Sequence, residues 1–336
     1  MLRILHGTKI DFIRLWRPAA ALVLAFLLPA LVMILVSGFR YSVEFTGGAF
    51  MQVTFTQPAP IEDVRGALTT AGLPDATIST FGSDREFVIR VQDPESVEAQ
   101  ATGAEVVARR VTQGLTDRFG ADAYRVDRSE VVGPQVGSEL RRQAAVAMLI
   151  AFGLTLIYLA WRFEWRFSVA AVLATLHDFL ATMALIKYMN LEISLFVVGG
   201  ILTVIGYSMN DKVVVFDRVR ENLHLTRKES LYSLLNRSVN ETLPRTVMTG
   251  TTTLATLLAL LIFGGDVIRP FAWVLTFGIL VGTFSSIYVA SPLLLWIENK
   301  WPRADVVTRV RDAKLTPTTP TPAQRPSKPK SPSPSR

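Results

Sequence analysis

Residues 194–216 read SLFVVGGILTVIGYSMNDKVVVF, and this stretch decides the architecture of the chain. About 20 mostly apolar residues are enough to cross the hydrocarbon core of a bilayer as a helix. A helix is required there because every backbone amide in hydrocarbon needs a hydrogen-bond partner within the chain. Asp211 and Lys212 lie near one end of the stretch. It therefore predicts a membrane-spanning helix that carries ionisable side chains.

The remainder of the 336-residue chain shows the same kind of apolar block. Half of the residues are hydrophobic (50%), only 19% are charged, and cysteine is absent. This composition excludes an ordinary soluble enzyme, disulfides and thiolate chemistry, and the three histidines are too far apart for a metal site. We expect no cofactor and no metal. Six membrane helices are predicted, at residues 19–38, 144–160, 167–186, 194–216, 247–263 and 271–297.

Lysine and arginine are distributed unevenly between the predicted loops, which sets the orientation. They are concentrated in residues 1–18, 161–166, 212–245 and 300–336. Both termini are therefore predicted to be cytoplasmic. The first apolar block is too long for the core of a signal peptide, so we expect a retained helix. The basic Pro/Ser/Thr-rich tail, residues 301–336, is predicted to be disordered and either solvated or resting on anionic lipid.

Residues 39–142 are polar and predict a water-exposed domain on the outer side of the membrane. The pattern indicates a strand at 41–55 that is interrupted at Gly47 and Gly48, a helix at 61–71, a hairpin at 76–91, a helix at 97–119 and a strand at 124–132. This βαββαβ order is that of a ferredoxin-like fold, with two helices on one face of an antiparallel sheet. No catalytic constellation is present, so we expect a binding or mechanical module and no enzyme activity.

Ionisable residues inside predicted membrane helices are costly, at roughly 2.5–3.5 kcal/mol each near the centre, and demand a reason. His177 and Asp178 fall in the third helix, Asp211 in the fourth, and Arg245 begins the fifth. One hypothesis is a proton path, in which a buried carboxylate takes up a proton and an approaching arginine promotes its release. The other is a static pair of an aspartate with an arginine or a threonine hydroxyl. His177 is interpreted as a packing residue.

Two further patterns concern helix packing. Gly199, Gly200 and Gly206 would let the fourth helix pack closely or bend. Residues 217–245 predict an amphipathic cytoplasmic helix, lying on the membrane surface or contacting a cytoplasmic partner.

Several motifs together resemble the SecD/SecF family of the bacterial Sec protein-export machinery. They are Phe45-Thr46-Gly47-Gly48, residues 132–137 (VGPQVG), His177-Asp178, residues 206–222 (GYSMNDKVVVFDRVREN, which include Asn210, Asp217 and Arg218) and residues 243–246 (LPRT). The resemblance covers about residues 10–300, and the motif at 206–222 is its most specific part.

The resemblance implies a member of the resistance–nodulation–division superfamily in the bacterial cytoplasmic membrane. Such chains pair with SecD beside the SecYEG channel and use the proton-motive force to assist late stages of preprotein translocation. The implied partners are SecD, SecYEG, the preprotein and membrane lipid, with no nucleic acid. Asp211 matches the membrane carboxylate of the family and Arg245 its basic partner, while Asp178 is a further candidate for proton transfer.

One departure from the family pattern and two rival functions remain open. The residue after the aspartate is usually small and polar, whereas here it is Lys212. Its cation either favours the ionised form of Asp211 or extends to the inner interface. The rival functions are half of a lipid or drug exporter of the same superfamily and a scaffold that only stabilises the channel.

Overall fold

The computed structural model of the protein describes residues 7–81, 83–91, 103–226 and 229–302. Within these ranges five segments are helical, long and apolar enough to cross a membrane: Ile13–Ser37, Gln135–Arg162, Trp165–Tyr188, Leu231–Phe263 and Val267–Lys300. The chain is therefore a multi-pass helical membrane protein.

The first membrane helix leads into a short junction. Helix α1 (Trp16–Ser37) is followed by strand β1 (Arg40–Tyr41) and a single helical turn, α2 (Val43–Thr46). The amides of Phe45 and Thr46 both donate to the carbonyl of Ser42, which forms the turn. The strand predicted for residues 41–55, with an interruption at Gly47 and Gly48, is therefore wrong at residues 42–46, because these local hydrogen bonds close a helical turn there.

An α+β domain follows the junction. Its elements are β2 (Gly48–Phe55), α3 (Ile61–Thr70), β3 (Thr77–Phe81), β4 (Ser83–Val91), α4 (Gly103–Phe119) and β5 (Tyr124–Val132). The strands form an antiparallel sheet in the order β3-β4-β2-β5. Alternate residues of β2, such as Val53, pack with Val64 of α3 and Val111 of α4. Residues 97–102 of the predicted second helix lie outside the described residues.

The helical bundle comprises the remaining elements. They are α5 (Pro134–Arg162), α6 (Trp165–Tyr188), β6 (Glu192–Ile193), α7 (Leu195–Leu225), α8 (Leu231–Phe263), α9 (Gly265–Ser285), a π-helical turn (Ser286–Ala290) and α10 (Ser291–Lys300). Helix α7 packs against α6, α8 and α9 and so lies inside the bundle. Helices α1 and α5 are peripheral. In the most apolar stretch of each helix, only 11% and 6% of the residues, respectively, are buried.

Helices α7 and α8 continue well beyond the predicted spans. Residues 217–225 are the last turns of α7, and residues 231–245 are the first turns of α8. Leu234 and Leu235 are buried against Phe216 and Val219, and Asn222 Nδ2 donates to Ser238 Oγ at 2.9 Å. The predicted separate surface helix is therefore wrong, because its apolar side chains are buried between the two helices.

Candidate functional site

Two neighbouring helices bring three buried charged side chains together, and a third helix contacts one of them. Helix α6 carries Asp178, α7 carries Asp211 and Lys212, and all three side chains are buried. Consecutive residues of a helix point about 100° apart, so Asp211 and Lys212 face different neighbours of α7. Lys212 contacts α6, whereas Asp211 contacts α8. The site therefore divides into two halves, one on each side of α7.

The first half is a charge pair between α6 and α7. Lys212 Nζ lies 2.5 Å from Asp178 Oδ2, and Lys212 has no exposed surface (0%). Ser208 Oγ donates to the same carboxylate oxygen, while His177 Nδ1 lies 2.8 Å from Asp178 Oδ1. Both oxygens of Asp178 are thus hydrogen-bonded, and its negative charge is balanced by the ammonium. Breaking such a buried pair from one side costs about 3–5 kcal/mol.

The second half is a carboxylate with one unused oxygen. Thr246 Oγ1 on α8 donates to Asp211 Oδ1 at 2.8 Å. Asp211 Oδ2 is buried and forms no hydrogen bond of standard geometry among the described residues, although the hydroxyl of Ser286 in the π-helical turn lies close enough to interact with this carboxylate. A cavity of about 10 Å³ lies beside Asp211 and is lined by Tyr207, Asn210, Asp211, Val214, Arg245, Thr246 and Thr249. This volume is about what a single water molecule needs.

Two expectations about this site can be compared with its geometry. Lys212 does not extend to the interface as one alternative required, because its ammonium is held by Asp178 and Ser208 inside the bundle. Arg245 lines the cavity beside Asp211 but forms no salt bridge with it within 4.0 Å. Of the two static pairings considered for Asp211, the structure has the one with a threonine hydroxyl.

Glycines on α9 allow α7 to approach closely, which the sequence did not reveal. A Cβ on Gly278 would lie 2.2 Å from Val204 Cγ2, and one on Gly282 would lie 3.1 Å from Ser208 Cβ. Of the glycines predicted to permit close packing, only Gly200 has a tight neighbour, with Val274 Cγ1 at 3.2 Å. A Cβ on Gly199 or Gly206 would meet nothing within 4 Å, so of the two predicted roles close packing is wrong at these positions.

Asp217 and Arg218, both in the motif at residues 206–222, connect the ends of neighbouring helices. Asp217 of α7 pairs with Arg162 at the end of α5, at 2.7 Å. Arg218 pairs with Glu241 of α8 at 2.6 Å and with Glu221 one turn along α7, also at 2.6 Å. These contacts hold α5, α7 and α8 together at the end of the bundle nearest Asp211.

The remaining motif, residues 45–48, lies at the junction between the α+β domain and the bundle. Phe45 is buried with Ile186 and Val197, so it anchors the junction in the helices. Thr46 Oγ1 donates to the Ser42 carbonyl at 3.1 Å. Gly47 and Gly48 have φ values of 81° and 136°, a region that favours glycine. The motif thus turns the chain from the bundle into β2.

The sequence of this chain is similar to those of known membrane proteins. Residues 112–300 match the family described as protein export membrane protein SecD/SecF, C-terminal, and residues 32–59 match the SecD/SecF GG motif. Protein translocase subunit SecF from Gemmatimonas aurantiaca is 55% identical over 93% of this chain and 94% of its own length. The subunit of the same name from Escherichia coli O157:H7 is 38% identical over 88% of this chain and 90% of its own length.

Solved structures agree with these matches. The crystal structure of SecDF, a translocon-associated membrane protein from Thermus thermophilus, has a TM-score of 0.76 at 36% identity and covers 89% of this chain. SecDF in its super-membrane-facing form gives 0.66 at 35% identity, over 92% of this chain. This chain spans 40% of the length of either SecDF chain. The resemblance noted from the motifs is confirmed, and the chain belongs to the SecD/SecF family of protein export membrane proteins.

Proposed function

We propose that this chain is a subunit of the Sec protein-export machinery that acts with SecD and uses the proton-motive force to assist late stages of preprotein translocation. The SecF name of its relatives and the SecDF name of its structural neighbours support the export role. This role requires further partners, which are SecYEG, the preprotein and the surrounding lipid. The chain itself would contribute ion coupling and no enzyme activity.

The single observation that carries proton coupling is the contrast between the two buried aspartates. Asp178 has both oxygens satisfied and an ammonium beside it, so a proton there would disrupt an existing pair. Asp211 has no ammonium or guanidinium paired with it, one of its buried oxygens forms no hydrogen bond of standard geometry, and the residue lines a water-sized cavity. We therefore assign proton uptake to Asp211 and a fixed structural charge to Asp178.

Arg245 would supply the release step. It lines the same cavity as Asp211 without being paired to it. Movement of its guanidinium towards the carboxylate would stabilise the charged form and release the proton, and movement away would allow reloading. For the Arg245 side chain to alternate between these positions, the packing of α7 against α8 must change. A transport cycle provides motion of this kind.

The topology needed for this role has six membrane helices. Helix α7 would complete the set of six, in addition to the five segments that are apolar enough to cross a membrane. It lies inside the bundle, although Asn210, Asp211 and Lys212 lower its hydropathy. The α+β domain would lie outside the cytoplasmic membrane as a ferredoxin-like module, with both termini in the cytoplasm. The strand order β3-β4-β2-β5 and the concentration of Lys and Arg in the opposite loops support this arrangement.

The test is made in cells depleted of the chain. Complementation with Asp211→Asn should fail to restore maturation of a secreted precursor, although the variant is inserted and retains SecD. Complementation with Asp122→Asn, which removes an exposed carboxylate from the α+β domain, should restore it. Export by Asp211→Asn at the wild-type rate would reject proton carriage and favour the scaffold. The exporter alternative predicts instead that precursor maturation is unaffected by depletion.

A further inference from the structure

The ammonium of Lys212 occupies an oxygen-lined position between α6 and α7. It contacts Asp178 Oδ2 at 2.5 Å, the Ser208 carbonyl at 3.3 Å and Ser208 Oγ. The side chain is wholly buried, and Asp178 is buried with it. The position therefore holds one positive charge, which is contributed by the chain itself.

The same oxygens are suited to a bound metal cation. Hard cations such as sodium are held in membrane transporters by carboxylates and by backbone carbonyls inside the bundle. Here a carboxylate, a hydroxyl and a carbonyl converge from two helices on one point. Without the ammonium, the buried Asp178 charge would require another cation or a proton, because an unpaired buried charge is costly.

A proton and a sodium ion differ in what they need at Asp211. A proton forms a covalent O–H bond with one carboxylate oxygen and needs no further ligands. A sodium ion needs several oxygen ligands at once, and the nearby oxygens of Ser208 on the adjacent face of α7 and of Asp178 on α6 already bind Lys212. The cavity beside Asp211, of about 10 Å³, has room for about one water.

We propose that Lys212 is a specificity-determining residue that fills a monovalent-cation position between Asp178 and Ser208, and so restricts this chain to protons. This inference rests on the ion-coupled export proposed above. It concerns which ion the bundle accepts. The ammonium of Lys212 would stand where a sodium ion would otherwise bind. Replacing the lysine by a neutral side chain should open that position.

The experiment measures sodium binding without measuring export. The chain is purified in complex with SecD, and its melting temperature is followed as NaCl replaces choline chloride at constant ionic strength. A cation that binds only the folded state raises the melting temperature with its concentration. Wild type should show no sodium-dependent rise, whereas Lys212→Thr should melt at a lower temperature and recover as sodium is added.

The matched control is the double variant Lys212→Thr/Asp178→Asn. It lacks both the ammonium and the carboxylate, so it should show no response to sodium. A sodium-dependent rise in wild type, or its absence in Lys212→Thr, would overturn the proposal. If Lys212→Thr is not recovered with SecD, Lys212→Ala is used, because its short side chain also removes the charge and leaves the position beside Asp178 open. A sodium-dependent rise in the melting temperature of this variant would support the proposal, and the absence of a rise would overturn it.

This readout separates the inference from the proposed function. If Asp211→Asn supports normal export while Lys212→Thr gains sodium binding, proton-driven export is rejected and the cation position stands. If Asp211→Asn abolishes export while Lys212→Thr does not respond to sodium, export coupling stands and the role of Lys212 is rejected. In cells, wild-type export should respond to a protonophore and not to a sodium ionophore.

Discussion

Gly137 packs directly against the backbone of Gly47. A Cβ at position 137 would lie 2.9 Å from Gly47 N and 3.0 Å from the carbonyl carbon and oxygen of Phe45. Gly137 lies in the first turn of α5, whereas Gly47 ends the turn that leads into β2. The contact thus joins the two points at which the α+β domain enters and leaves the helical bundle, and it requires that residue 137 have no side chain.

Substitution of Gly137 should therefore weaken this junction. Gly137→Ala forces a methyl group against backbone atoms that cannot move independently, and overpacking of this kind costs about 1–3 kcal/mol. We expect a lower melting temperature for the purified complex. Gly133→Ala is the matched control, because a Cβ there meets no atom within 4 Å and its φ of −69° suits alanine. Equal melting temperatures for the two variants would contradict the prediction.

The hydroxyl of Thr246 should matter for Asp211. Thr246→Val keeps the shape of the side chain but removes the donor to Asp211 Oδ1. A hydrogen bond to a charged group contributes about 1.5–3 kcal/mol, so we expect slower precursor maturation from a protein that is still inserted. Thr252→Val serves for comparison, since the Thr252 hydroxyl donates only to carbonyls of its own helix. The idea fails if both variants export equally well.

Asp178 and Lys212 should behave as a coupled pair in stability measurements. Either Lys212→Met or Asp178→Asn leaves one buried charge uncompensated, and each should cost about 3–5 kcal/mol. The double variant should cost much less than the sum of the two, because it removes both charges. Unfolding of the purified complex in denaturant measures all three free energies. Additive costs would show that the two side chains do not depend on each other.

The segment before α1 should detach from α8 on acidification. Asp11 accepts from the Tyr232 hydroxyl at 2.6 Å, and this bond, together with one from Asn236, holds the pKa of the exposed Asp11 carboxyl below its usual value. Because the pKa is lowered in the folded state, the contact is fully favoured above the ordinary aspartate range. It is lost as the pH falls through the lowered pKa.

Hydrogen exchange reports this detachment directly. The amides of Ile10 and Ile13 donate to side chains of Asn240 and Asn236, so they are protected while the segment is docked. Protection should persist at neutral pH and decline only under acidic conditions. Tyr232→Phe removes the main donor to Asp11 and should move the loss to a higher pH. An unchanged midpoint in this variant would show that Tyr232 does not set the proton affinity of Asp11.

The amino-acid sequence by itself determined where the long helices lie and which residues are candidates for the functional site. Apolar blocks near the length of a bilayer predict helices, because hydrocarbon leaves the backbone no other means of pairing its amides. The alternation in residues 124–132 predicts β5 to the residue. Asp178, Asp211 and Arg245 stand out because charged side chains in apolar blocks are costly and therefore rare.

Only the tertiary structure decided how those residues are connected. The spacing of a helix places Asp211 and Lys212 on different faces, but it does not say which helix each face meets. The pairing of Lys212 with Asp178, 34 positions away, and of Asp211 with Thr246, 35 positions away, depends on the close approach of α6, α8 and α9 to α7. That approach is set by small residues such as Gly282 on a helix distant in sequence. Long-range packing, which no local pattern encodes, therefore left Asp178 paired and Asp211 with a free oxygen.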